Sequence, residues 1–290
     1  FLTQPTDTPF IPNWKSVLSA VPDIYAQLLE AVEADMEEFK PKERQAPRGS
    51  KLRQSIHQHV SEIYPVQSAT EITNTIINLA SLGPRKSMLP RTQNKWTEED
   101  IILITYGDTI QKENEAPLKT LNRFASKHLG QTISAIHILP FSPYSSDDGF
   151  SVIDYYQVNP ELGKWNDFES FHPQFETMAD LVLNHCSAQS EWFKNYLENK
   201  HPGAGYFIET ANSFDTSAVI RPRSSPLLKV VETCEGTKNV WCTFSHDQVD
   251  LNFENPEVLY EVIRILKFLV SKKIKYFRLD AIAFLWKRSG

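Results

Sequence analysis

Arg278 and Asp280, in Tyr276-Phe-Arg-Leu-Asp280, close an apolar run near the end of the chain. Side chains alternate faces along an extended strand, so positions i and i+2 point the same way. A guanidinium beside a carboxylate favours the ionised form and lowers a carboxyl pKa by roughly one to three units. An ionised Asp is what attack on an anomeric carbon requires, although the same spacing also makes a structural ion pair at a strand end. A second cluster, Asp180-Leu-Val-Leu-Asn184-His185, puts Asp180 and Asn184 on one strand face with His185 just past the end. Such a His can donate to a hydroxyl of a bound ligand or simply tie the strand end into its turn. Asp147 and Asp148, before Gly149, are the weakest signal, because Asp-Gly is ordinary turn chemistry.

These residues need elements to hold them. From Trp96 onward short apolar runs alternate with helical patterns. Strands are expected at Ile101–Thr105, Ile133–Leu139, Met178–Leu183 and Ile274–Leu279, and helices over 118–128 and Glu257–Val270. Four β/α units predict a parallel sheet, open or closed into a barrel, with a long irregular stretch from Cys186 to about Asp250 after the third strand. Polar groups at the carboxyl ends of such strands line the site, and all three clusters lie there. Residues 1–96 read instead as a helical extension. Val17, Val21, Ile24, Leu28, Val32 and Phe39 have amphipathic spacing, Lys40–Arg48 reads as a linker, and Ser68-Ala-Thr-Glu71 as a capping box. No constellation of catalytic residue types occurs in that extension.

Composition excludes other classes. The 290 residues carry a net charge of −6, which argues against a nucleic-acid partner. Cys186, Cys234 and Cys242 are an odd, widely spaced set with neither a disulfide framework nor zinc spacing. They read as buried thiols of a reducing, cytoplasmic compartment. No stretch resembles a signal peptide or a membrane span. The chain opens on Phe1 and closes on Lys287-Arg-Ser-Gly290, and both ends read as cut.

The two blocks Asp180-x-x-x-Asn184-His185 and Phe277-Arg-Leu-Asp-Ala-Ile282 resemble short motifs of glycoside hydrolase family 13, the α-amylase superfamily. The sucrose-phosphorylase subfamily is the nearer match. It resembles this chain at Ile104-Thr-Tyr-Gly-Asp108, His137-Ile-Leu-Pro-Phe141, Asp147-Asp-Gly-Phe-Ser-Val-Ile-Asp154, Arg221-Pro-Arg223 and Val240–Asp250. The resemblance covers roughly residues 97–290. It implies the first half of a (β/α)8 TIM barrel, in two stretches (97–185 and 251–290) separated by an inserted small domain over 186–250. It implies Asp280 as nucleophile with Arg278 beside it, and Asp147, Asp148, Phe150 and His185 around a glucosyl unit. Phe244 and Gln248 would line the acceptor side, and Arg223 would face phosphate. The implied reaction is retaining phosphorolysis of an α-glucoside of the sucrose or glucosylglycerate type to α-glucose 1-phosphate. No metal or organic cofactor is implied, and the partners implied are the glucoside and inorganic phosphate. The family's general acid is a Glu on a fifth strand beyond these residues, so an N-terminal fragment, inactive by itself, is expected. A hydrolase or transglucosidase of the same superfamily, or a non-catalytic carbohydrate-binding remnant, are the alternative readings.

Overall fold

The computed structural model describes residues 51–81, 97–172, 174–211 and 213–287. The expected helix over 17–39 and the linker after it lie outside the described residues. Those described form two compact units, one of residues 97–258 and 272–287, the other of 51–81 and 259–271.

In the second unit, α1 (Lys51–Ile63) buries Ile56 and Val60, four apart, and α2 (Val66–Leu79) buries Ala69, Ile72 and Ile76, three, four and seven apart on one helix face. The expected capping box at Ser68 does not form. Pro65 (φ −52°) occupies the N-cap and starts the helix three residues earlier, so the Ser68 hydroxyl donates to the Pro65 carbonyl at 3.0 Å. Lys267 Nζ donates to the Leu79 carbonyl (3.2 Å) and to Ser81 Oγ (2.6 Å).

The first unit is built on a four-stranded parallel sheet in the order β1-β2-β3-β9. Its strands are β1 (Ile102–Thr105), β2 (Ala135–Ile138), β3 (Glu176–Val182) and β9 (Ile274–Asp280). Central β2 is buried at every residue, as a strand covered on both faces must be. It begins later than the apolar run suggests, because the Thr132 and Ile133 amides are bonded to the Leu129 carbonyl that ends α3 (Pro117–His128). Pro117 opens α3, where a missing N–H costs nothing, and Leu118, Leu121 and Ala125 are buried. Phe141, Trp165 and Phe168 form an aromatic cluster in which Trp165 meets both phenyl rings edge-on, Trp165 and Phe168 coming from α4 (Trp165–Glu169). Fully burying a ring such as Phe168 contributes roughly 1.5–3 kcal/mol.

Between β3 and β9 the chain makes an antiparallel excursion. Strand β4 (His185–Ser187) leaves directly from the end of β3. Helix α5 (Glu191–Leu197) and strands β5 (Glu209–Thr210), β6 (Leu228–Thr233) and β7 (Gly236–Trp241) follow, the strands ordered β5-β7-β6. Strand β8 (Gln248–Asp250) returns to pair with β4, with His185 opposite Asp250 and Ser187 opposite Gln248. The neck of the excursion is therefore zipped shut at the sheet's carboxyl edge. Helix α6 (Pro256–Ser271) then leads to β9. Among the described residues, no helix is long and apolar enough to cross a membrane.

Candidate active site

Parallel pairing sets Asp180 opposite Arg278 and Val182 opposite Asp280, so both acids and the Arg share one face of adjacent strands. Arg278 Nη1 donates to Asp180 Oδ1 and lies 3.0 Å from Asp280 Oδ1, while His137 Nε2 is 2.8 Å from Asp180 Oδ2. The Asp180 side chain is wholly buried, and that of Asp280 is 17 % exposed. The i, i+2 reading of Arg278 and Asp280 holds, but its electrostatic consequence is reversed. Burial holds the Asp280 carboxyl above its ordinary range. Arg278 and His185 oppose that shift, and the nearby Asp180 charge reinforces it. The guanidinium does not prevail because the desolvation of Asp280 outweighs it, and Asp180 shares the same guanidinium. Ala281 follows with φ +53°, a left-handed residue that turns the chain sharply behind Asp280.

Strand β3 stops at Val182, so Asn184 does not share a strand face with Asp180, contrary to expectation. Asn184 lies buried in the zipped neck instead. Its Nδ2 donates to Asp250 Oδ2 (3.0 Å) and to His185 Nδ1 (3.2 Å), and its Oδ1 accepts from Lys287 Nζ (3.0 Å). With Nδ1 accepting, the His185 proton sits on Nε2, which donates to the Phe150 carbonyl at 3.0 Å. Burial lowers the His185 pKa against the pull of Asp250 and the Phe150 carbonyl, so the ring is neutral near pH 7. Asp250 is fully buried and also takes the Thr243 amide at 2.9 Å and Lys287 Nζ at 2.8 Å. Tyr155 Oη donates to the carbonyls of Val182 and His185, both at 3.0 Å, which holds the strand end in place.

The turn after β2 brings the remaining candidates together. Asp147 (φ +56°), Asp148 (φ +49°) and Gly149 (φ +102°) are three successive left-handed residues. At a non-glycine residue this conformation costs of order 1–3 kcal/mol. Gln248 Nε2 donates to Asp147 Oδ2 at 2.8 Å, and Arg278 lies over the Phe150 ring with 5.6 Å to its centroid. The Phe244 ring is 5.1 Å from that of His185, and Arg223 lies over the Phe244 ring, 5.7 Å from its centroid. Asp148 is exposed in the same turn, and Arg223 is an exposed member of the constellation. Sequence reasoning missed His137, Tyr106, Thr243, Asp247, Asp250 and Lys287. Burial, then the charges of Asp148, Asp180 and Asp147, raise the Tyr106 pKa. Five of the six lie inside the blocks that carry the family resemblance, but nothing local gives any of them a role, since each meets the site through strand register or the neck. Among the described residues, no three His, Cys, Asp or Glu side chains gather as metal ligands would.

A parallel β/α sheet with polar groups at its carboxyl edge and an excursion after its third strand is the architecture of a barrel-type domain. The family model for the alpha amylase catalytic domain matches residues 127–290, more than half of the chain, and the chain belongs to that family. It is 52 % identical over 191 residues to a glucosylglycerate phosphorylase of Spirochaeta thermophila, covering 66 % of this chain and 32 % of that protein. To the glucosylglycerate phosphorylase of Escherichia coli it is 42 % identical over 242 residues, covering 82 % and 43 %. Among solved structures, the sucrose 6F-phosphate phosphorylase of Thermoanaerobacter thermosaccharolyticum superimposes with a TM-score of 0.59 at 27 % identity, over 68 % of this chain and 42 % of that one. The chain thus spans about a third to two-fifths of the length of the curated relatives it matches.

Proposed function

We propose that the whole protein transfers a glucosyl unit from an α-glucoside to inorganic phosphate with retention, and that the donor is of the glucosylglycerate type. The observation that carries the reading is Asp280 at the end of β9, ion-paired with Arg278, with His185 buried and neutral at the end of the neighbouring strand. Asp280 attacks the anomeric carbon as the bond to the aglycone oxygen breaks, and that oxygen takes a proton from a general acid. Asp180 cannot be that acid, because it is buried and held by His137 and Arg278. The reading assigns the acid to a part of the protein outside these residues. A phosphate oxygen then displaces Asp280 from the glucosyl ester and passes its proton to the conjugate base of the acid, giving α-glucose 1-phosphate.

In this reading Asp147, Asp148, Phe150 and His185 hold the glucosyl ring. His185 Nε2–H exchanges the Phe150 carbonyl for a sugar hydroxyl. Phe244 and Gln248 line the acceptor side. Arg223, exposed over Phe244, supplies the positive charge that an anionic acceptor requires. The preference for a glucosylglycerate donor is supported by identities of 52 %, 45 % and 42 % to glucosylglycerate phosphorylases, against 30 % to the sucrose phosphorylase of Streptococcus mutans. A cytoplasmic setting is supported by three free thiols, Cys186 and Cys242 buried as expected and Cys234, contrary to expectation, exposed on the turn between β6 and β7. The test is α-glucose 1-phosphate release from glucosylglycerate by the whole protein, with and without phosphate. Phosphate-dependent release that Asp280→Asn lowers by at least about a thousandfold is expected. Glucose release independent of phosphate refutes the phosphorylase reading, and unchanged turnover in Asp280→Asn refutes the site.

A further inference from the structure

The turn that carries Asp147, Asp148 and Phe150 is closed at its base by a carboxylate that none of the reading above uses. Asp247 Oδ2 accepts from the hydroxyls of Ser145, Ser146 and Ser151, the last at 2.8 Å. Two of these serines enter the turn and one leaves it, so a single oxygen ties both of its ends. The Asp247 carbonyl accepts the Ala188 amide at 2.7 Å and the Ser151 hydroxyl at 3.2 Å, and Ser187 Oγ meets Ser145 Oγ. The staple is thereby fixed to the β4–β8 neck, where Gln248, the next residue, reaches Asp147. Between the tied ends lie three left-handed residues, a conformation that the backbone does not hold unaided. The hydroxyls bond to the carboxylate directly, with no imidazole between them, so the cluster is not an activated nucleophile.

We propose that Asp247 is a positioning residue, whose carboxylate gathers Ser145, Ser146 and Ser151 and so holds the left-handed Asp147–Gly149 turn in the shape that receives a glucosyl ring. The inference rests on the reading that Asp147 and Phe150 contact that ring. Burial pushes the Asp247 carboxyl up, but the three hydroxyls outweigh it and leave it below its ordinary range, as an ionised acceptor would be.

The test measures competitive inhibition of the whole protein's phosphorolysis by two probes. 1-Deoxynojirimycin reports the glucosyl position and glycerate the acceptor position. Asp247→Asn keeps the volume but removes the charge that accepts three hydroxyls. It is expected to weaken 1-deoxynojirimycin by roughly 10- to 100-fold, as a displacement of about 1 Å does, and to leave glycerate within about twofold. If Asp247→Asn does not fold, Ser146→Ala deletes one donor and is expected to show the same selectivity at about threefold to tenfold. A lowered melting temperature with both inhibition constants unchanged, or with both shifted equally, overturns the proposal and leaves Asp247 a purely structural residue. Asp147→Ala separates the two levels. If that change leaves 1-deoxynojirimycin binding intact, the reading of the turn as a glucosyl site fails. If it abolishes binding while Asp247→Asn and Ser146→Ala do not, the staple alone fails.

Discussion

Gly149→Ala is the sharpest test of the turn geometry. A Cβ built on Gly149 lies 2.6 Å from Pro140 Cβ and 2.8 Å from the Pro140 carbonyl oxygen. Both atoms belong to a proline unit with no rotamer to swing aside, so relief has to come from movement of the turn. The residue sits at φ +102°, where an L side chain costs about 1–3 kcal/mol. Forcing a methyl into a packed site costs about 1–3 kcal/mol more. One shift of the backbone relieves part of both, so we expect a loss of about 3 kcal/mol rather than their full sum. Asp147 and Asp148 are already left-handed and leave the turn little slack to absorb the shift. Urea unfolding of the whole protein should show a lower midpoint at an unchanged slope. Donor affinity should fall with it, because the shift draws Asp147 from the 2.8 Å bond with Gln248. A midpoint that corresponds to less than about 0.5 kcal/mol of change would show that the turn is not held as described.

Two further outcomes concern the buried charges. Because the Asp280 carboxyl is raised in the folded state, the fold binds its proton more tightly than the unfolded chain does, and stability falls as pH rises from about 3.9 through the raised value. Asp280→Asn should therefore be as stable as the parent near pH 3 and more stable at pH 7, measured by urea midpoints, and a less stable variant at pH 7 would contradict the burial argument. Lys287→Met leaves the fully buried Asp250 carboxylate without its cation and should cost about 3–5 kcal/mol, part of which Asp250→Asn recovers in the double variant; a loss under about 1 kcal/mol, or no recovery, would show that the pair is not coupled.

The alternation of short apolar runs with helical patterns was enough to read four parallel strands, although only β2 is buried at every residue and β1, β3 and β9 are covered in part. Their ends were less legible. Local bonds decide them, as where Leu129 takes the Thr132 and Ile133 amides and delays β2. Period-two spacing correctly put Arg278 and Asp280 on one face, yet it made Asn184 part of a strand that ends at Val182. His137 and Asp250 were invisible for a different reason. His137 meets Asp180 across 43 residues of sequence, and Asp250 meets Asn184 across 66, so only register brings each pair together. Gln248 and Phe244 entered the reading by resemblance alone, and the β4–β8 pairing is the physical reason that they adjoin His185.

The sign of the Asp280 shift shows why residue types and spacing do not by themselves fix reactivity. An arginine two residues away favours ionisation only to the extent that it is free to do so, and here Asp180, buried and anchored by His137, competes for the same guanidinium. What remains at Asp280 is a carboxylate with one shared cation and a largely desolvated environment. Such a group is less stabilised than a fully paired one, and a nucleophile that must give up its charge to a glucosyl carbon loses less on reacting when that charge was poorly solvated beforehand. In the proposed reading, the Asp180–His137 pair acts on Asp280 by limiting how much of Arg278 it can claim.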